Sequence, residues 1–152
     1  MAIHWHNSVV IDRQADELWA KFSDLFSAPR LPGSSMSLRQ TSPGPMRLGT
    51  TIQARRVILG FETRLIETIT EWDPPNALTA TIEGRPLRFM VERFTLEPTA
   101  EGTRITDTID GEVRLALRLI WPVLEPFMRR QRRKSFLDLK AKLESEPRSP
   151  AG

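Results

Sequence analysis

The chain has 152 residues, of which 39% are hydrophobic and 27% charged, with a formal net charge of +3. These are globular proportions, and a domain of this length buries roughly 68–70% of the surface its unfolded chain exposes. The absence of cysteine excludes a disulfide framework, a thiolate metal site and a cysteine nucleophile, and no apolar run is long enough to span a bilayer.

The first element is a strand over about 3–11. "RQADELWAKFSDLF" then reads as a helix, with Leu18, Trp19, Phe22 and Phe26 on one face and Asp16 and Glu17 in the first turn, where the helix dipole favours acids. Residues 27–35 form a turn-rich connector with room for one further short helix. Six strands follow, over roughly 36–42, 49–59, 62–72, 77–83, 87–97 and 103–114. Between them stand Gly44-Pro45, Gly60, Pro74-Pro75, Gly84-Arg85-Pro86 and Glu101-Gly102. From about 118 to 144 the period becomes helical, with Leu124, Met128, Ser135, Phe136, Leu139 and Leu143 as an interrupted stripe. Pro122 suits a helix start, whereas Pro126 falls inside the helix and should kink it. Residues 1–145 are expected to form one domain and 146–152 a disordered tail. The N-terminus lacks the basic and apolar zones of a signal peptide, which points to the cytoplasm.

One strand, a short helical segment, a six-strand meander and a long closing helix make an α+β protein. An antiparallel sheet of this length curls, and one long helix can fill its concavity, with a cavity between them as the default expectation. Alternation then assigns faces. Ile105, Ile109 and Val113 carry Asp107 with them; Met90, Phe94 and Leu96 carry Glu92; Ile52, Ala54 and Ile58 carry Arg56. Strand 62–72 is ambiguous, because Ile66 and Trp72 oppose Leu65 and Ile69. One register places Glu67 inside, and a one-residue slip sends it to solvent and brings Arg64 in.

"SVVIDRQADELWAKFSD", "GPMRLGT", "ITEWDPPNAL", "LEPTAEGTRIT" and the closing "LDLKAKLE" occur in that order over nearly the whole chain. In these segments the chain resembles the START / birch-pollen-allergen-like helix-grip superfamily, and within it the polyketide cyclase/dehydrase and lipid-transport-like branch. The resemblance implies a curved seven-stranded antiparallel sheet wrapped around a long C-terminal helix, with one or two short helices after the first strand. It also implies the register with Leu65, Glu67 and Ile69 facing in, and a cavity for a hydrophobic small molecule. It does not imply one reaction, because the superfamily hosts cyclases, lipid carriers, hormone receptors and quinone binders on one scaffold.

The expected cavity walls are Ile52, Ile69, Leu78, Ala80, Met90, Phe94, Ile109, Leu124 and Met128. The expected polar anchors are Arg56, Glu67, Glu92 and Asp107, with Gln131 on the closing helix. Arg56 is the natural partner for Glu67, and Arg88, in step with Met90, could balance charge at the mouth. Buried unpaired charges are costly, so these groups require pairing, water, a shifted pKa or a ligand head group. The first functional reading is a binder or carrier of a lipid, polyketide or isoprenoid-like molecule, needing no cofactor. The second is a polyketide cyclase or dehydratase using two of Glu67, Glu92 and Asp107 as general acid and base. The third is a protein-interaction module with a filled core. The lack of tyrosine weighs against the enzyme.

His4 and His6 share a strand face opposite Ile3 and Trp5, and with no further histidine they do not make a metal site. "RRQRRK" (129–134) sweeps every face of a helix and has no interleaved aromatics, so nucleic acid is not expected as a partner. A basic helix flanked by Trp121 could instead touch an anionic membrane in passing. The oligomeric expectation is a monomer or homodimer.

Overall fold

The computed structural model describes residues 2–27, 36–58, 61–85 and 87–148. In chain order the elements are β1 (Ala2–Ile11), α1 (Ala15–Ser27), β2 (Met36–Gln40), β3 (Thr51–Ile58), β4 (Phe61–Asp73), β5 (Ala77–Glu83), β6 (Leu87–Thr99), β7 (Gly102–Val113), α2 (Leu115–Arg118) and α3 (Trp121–Ser145). Most of the connector expected over 27–35, together with Gly60 and Pro86, lies outside the described residues. The strands form one antiparallel sheet in the order β1-β7-β6-β5-β4-β3-β2. β2 to β7 make a meander, and β1 closes it by pairing along β7, Ala2 opposite Glu112 through Ile11 opposite Thr103. With α3 across its concave side, this is the helix-grip arrangement.

The ambiguous strand resolves through a bulge. In β4, Ile69 pairs with Ala80, but the next ladder pairs are Glu71 with Thr79 and Trp72 with Leu78, so the register shifts between Ile69 and Glu71. An extra residue in one strand reverses the parity of everything after it. Leu65, Glu67 and Ile69 are therefore buried while Ile66 and Arg64 are exposed, and Trp72 still joins the interior, edge-on to Trp19 at 5.1 Å. The conflicting parities of the sequence were both correct on their own side of the bulge. A second irregularity, between Leu87 and Phe89 in β6, corrects the expectation for Arg88. Its side chain is exposed and paired with Glu112 at 3.2 Å, away from the interior.

The turn before β7 requires glycine. Gly102 has φ +134°, and a Cβ there would lie 2.1 Å from the carbonyl oxygen of Ile11.

α3 starts with Pro at its first turn and carries Pro126 within it. Trp121, Leu124, Phe136 and Leu143 are buried, whereas Ser135, expected on the buried stripe, is exposed. Trp121 stacks on Trp5 with ring centroids 6.1 Å apart, so the residue expected to flank a membrane contact belongs to the core. Basic side chains of α3 also cover the free edge of β1: Arg129 donates to the His4 carbonyl at 3.1 Å and Lys140 to the Val10 carbonyl at 2.6 Å. This satisfies acceptors that an edge strand otherwise offers to another chain. At the C-terminal end, buried Arg13 donates to the carbonyls of Glu144 and Glu146 at 2.9 and 2.6 Å, capping orphan acceptors of the last turn. Arg148 pairs with Asp12 at 2.7 Å on the surface, and 149–152 lie outside the described residues.

The interior divides into two apolar clusters. One gathers Ile3, Trp5, Ile52, Leu65, Met90, Ile109, Trp121 and Leu124 with their neighbours. The other gathers Ile11, Leu18, Ile69, Leu78, Phe94, Leu96, Ile105 and Phe136 with theirs.

Candidate functional site

The boundary between the two clusters is polar. Along β4, Glu67 separates Leu65 of the first cluster from Ile69 of the second. On β6, Glu92 stands between Met90 and Phe94, and on β7 Asp107 stands between Ile109 and Ile105. Asn7 holds the same place on β1, opposite Asp107, with Trp5 on one side and Val9 on the other. From the helix, Arg132 comes between Met128 and Phe136. The pleat produces this belt, because each of these strand residues is two positions from an apolar residue of either cluster and so shares its face.

Glu67, Glu92 and Asp107 are 2%, 6% and 0% exposed, values ordinary for leucine and rare for carboxylates. Glu92 and Asp107 are diagonal neighbours on adjacent strands, since Glu92 pairs with Ile109 and Phe94 with Asp107. Arg132 spans them, Nε donating to Asp107 Oδ2 at 2.7 Å and Nη2 to Glu92 Oε1. A planar guanidinium with several donors can serve two carboxylates at once, which a lysine ammonium does less well. Asp107 Oδ1 is buried and accepts no hydrogen bond of ordinary geometry among the described residues. Burial pushes the Asp107 carboxyl up to about 7, against the pull of the neighbouring Asn7 side chain. Glu67 is not left without a partner. The result is a buried, acid-rich belt between apolar walls, with burial raising one carboxyl towards neutrality.

A family model described as "Polyketide cyclase / dehydrase and lipid transport" matches residues 2–144. The chain belongs to this polyketide cyclase / dehydrase and lipid transport family. No curated protein matches it. Solved structures share its fold at low identity. Norcoclaurine synthase from Thalictrum flavum is 18% identical, with a TM-score of 0.71 over 97% of this chain and 88% of its own. A protein from Chromobacterium violaceum is 17% identical, with a TM-score of 0.66 over 96% and 99%. The Zhui aromatase/cyclase from Streptomyces sp. R1128 is 16% identical, with a TM-score of 0.62 over 75% and 70%. The family match over residues 2–144, together with the fold these structures share, places the chain in the START / birch-pollen-allergen-like helix-grip superfamily.

Of the residues expected to line the interior of this family member, Glu67, Ile69, Leu78, Ala80, Met90, Glu92, Phe94, Asp107, Ile109 and Leu124 are buried on the concave face or beneath α3, and Met128 packs half-buried against the first cluster. Arg56 lies on β3 opposite Thr63, but its side chain lies outside what the structure describes. Gln131 is a correction: it is exposed, and its neighbour Arg132 points inward instead. The signal for Arg132 was present in the spacing Leu124, Met128, 132, Phe136, four residues at each step. His4 and His6 are exposed as expected, His4 against Asp110 at 2.5 Å, and the described residues contain no group suited to hold a metal. No helix among the described residues is long and apolar enough to cross a membrane.

Proposed function

We propose that the protein binds a hydrophobic small molecule bearing a polar group, held between the concave sheet face and α3. Its apolar body would lie against the Met90–Ile109–Leu124 and Leu78–Phe94 walls, and its polar group would meet Glu67, Glu92, Asp107 and Arg132. The observation that carries this reading is the polar belt dividing the core. Three buried carboxylates on three strands cost far more than apolar residues in the same places, and a core needed only for packing gains nothing from them. An acid-rich belt favours a hydroxyl-bearing or cationic group over a carboxylate. Family membership supports a small apolar cargo or substrate of this kind.

The test is native mass spectrometry of the protein purified from its own host, before and after organic extraction, with uptake of N-phenyl-1-naphthylamine by the extracted protein. The expected result is a discrete apolar mass lost on extraction, retained about tenfold less in Glu92→Gln, the cost of one lost hydrogen bond. Neither a bound mass nor probe uptake would leave the interior as packing alone.

A second reading, a cyclase or dehydratase, is favoured by Asp107. A carboxyl with a pKa of about 7 can both give and take a proton near neutral pH. In that case the wild type converts the captured molecule either to a product lighter by one water, if it dehydrates, or to an isomer of equal mass and altered chromatographic retention, if it only cyclises, and Asp107→Asn binds the molecule unchanged.

A further inference from the structure

The two ends of α3 meet solvent differently. Toward its start, Leu119 is 90% exposed, Val123 82% and Phe127 62%, with Leu115 of α2 alongside at 75%. Leu119, Ile120, Val123, Leu124 and Phe127 line an open apolar groove of about 540 Å³ whose inner end is the buried Leu124. Single exposed apolar residues are ordinary, but a contiguous set rimmed by charge marks a contact surface.

The rim is basic. On a helix, Val123, Phe127, Arg130 and Lys134 follow the spacing i, i+4, i+7, i+11 and lie along one exposed stripe, apolar at the start and cationic beyond. Arg133 is exposed beside them, and Arg114 and Arg118, exposed at the start and end of α2, precede the groove in the chain. Arg118 and Arg129 have acidic partners, Glu112 and Glu125, whereas Arg130, Arg133 and Lys134 make no ion pair among the described residues.

We propose that this stripe docks the protein on an anionic lipid bilayer, with Leu119, Val123 and Phe127 entering the interface and Arg130, Arg133 and Lys134 meeting acidic head groups. An apolar patch continued along the helix by cations without an ion pair among the described residues is complementary to a surface whose hydrocarbon lies just beneath negative charge. Charge argues against a second copy of the chain, because a two-fold contact over this patch would bring the same arginines face to face. The aromatic anchor is Phe127, not the buried Trp121. This docking does not depend on the ligand proposed above.

Flotation with phosphatidylcholine vesicles and with mixed phosphatidylcholine–phosphatidylserine vesicles tests it. Capture by the mixed vesicles alone is expected, weakening as salt is raised. Phe127→Ser should reduce it about tenfold, and Arg130→Glu with Lys134→Glu should reduce it by about fivefold or more per charge. All three residues are exposed, and an unchanged thermal midpoint establishes that each variant is folded. Equal capture by both vesicle types, no capture by either, or capture indifferent to both variants overturns the proposal. Concentration-dependent self-association abolished by Phe127→Ser, without vesicle capture, would overturn it in favour of a dimer.

Discussion

Glu92 and Arg93 are consecutive on β6, point to opposite faces of the sheet, and each joins an ion pair of a different kind. On the outer face, Arg93 forks onto Glu71 with Nε at 3.0 Å and Nη2 at 3.2 Å, and the Thr79 hydroxyl donates to the same carboxylate. The Arg93 hydrogen bond, aided by Thr79, holds Glu71 below the usual carboxylate range. On the inner face, Arg132 reaches Asp107 at the shorter distance of 2.7 Å, yet burial pushes that carboxyl up to about 7. A close guanidinium is therefore not what decides the protonation state. Water screens and solvates the outer pair, so the partner's field prevails. Inside, burial removes the water that would stabilise the charged carboxylate, and this desolvation is the larger influence.

The largest expected effect comes from removing the inner cation. Arg132→Met leaves Glu92 and Asp107 buried without their guanidinium and should cost about 3–5 kcal/mol in chemical denaturation. A loss below about 1 kcal/mol would mean that the belt is wet enough to behave like the outer face. Neutralising the acids as well, with Glu92→Gln and Asp107→Asn in the Arg132→Met background, should recover much of that loss, because no buried charge then stands unpaired.

Asp107 gives the comparison a pH signature of opposite sign to most carboxylates. Unfolded, it titrates near 3.8; folded, at about 7. Between these values the folded state holds the extra proton, so this group favours folding at acid pH and that contribution is lost as pH rises towards 7. Thermal melts of the wild type should decline across this window relative to those of Asp107→Asn. Parallel curves would place the Asp107 pKa near its unfolded value.

The smallest effect belongs outside. Arg93→Met should cost less than about 1 kcal/mol, and the difference should shrink further in about 1 M salt, as for other exposed pairs. A salt-insensitive loss comparable to that of Arg132→Met would abolish the distinction between the two faces.

Much of this contrast was legible in the residues themselves. Asp107 and Glu92 keep step with Ile105, Ile109, Met90 and Phe94, and a period of two leaves one choice of face where apolar residues agree. Where they disagree, on β4, the sequence could not say that a bulge lies between Ile69 and Glu71, because a bulge is a relation between two strands. The same holds for Arg88, turned outward by an irregularity opposite Val113 and Glu112. On α3, the basic run hid its inward member. All six residues are polar, so composition offered no phase, and the phase came only from Leu124, Met128 and Phe136 on either side.

By itself, then, the sequence determined the order of elements, the antiparallel meander with its closing helix, and the acids of β6 and β7 on the buried face. These follow from local periodicity and turn chemistry, which each segment carries alone. Tertiary structure decided which cation answers those acids, that Trp121 stacks on Trp5, and that the exposed apolar face of α3 begins at Val123 and Phe127. Each is settled by how α3 rotates about its own axis as it packs on the sheet. That angle is fixed by contacts from β1, β6 and β7 together, and no one segment contains it.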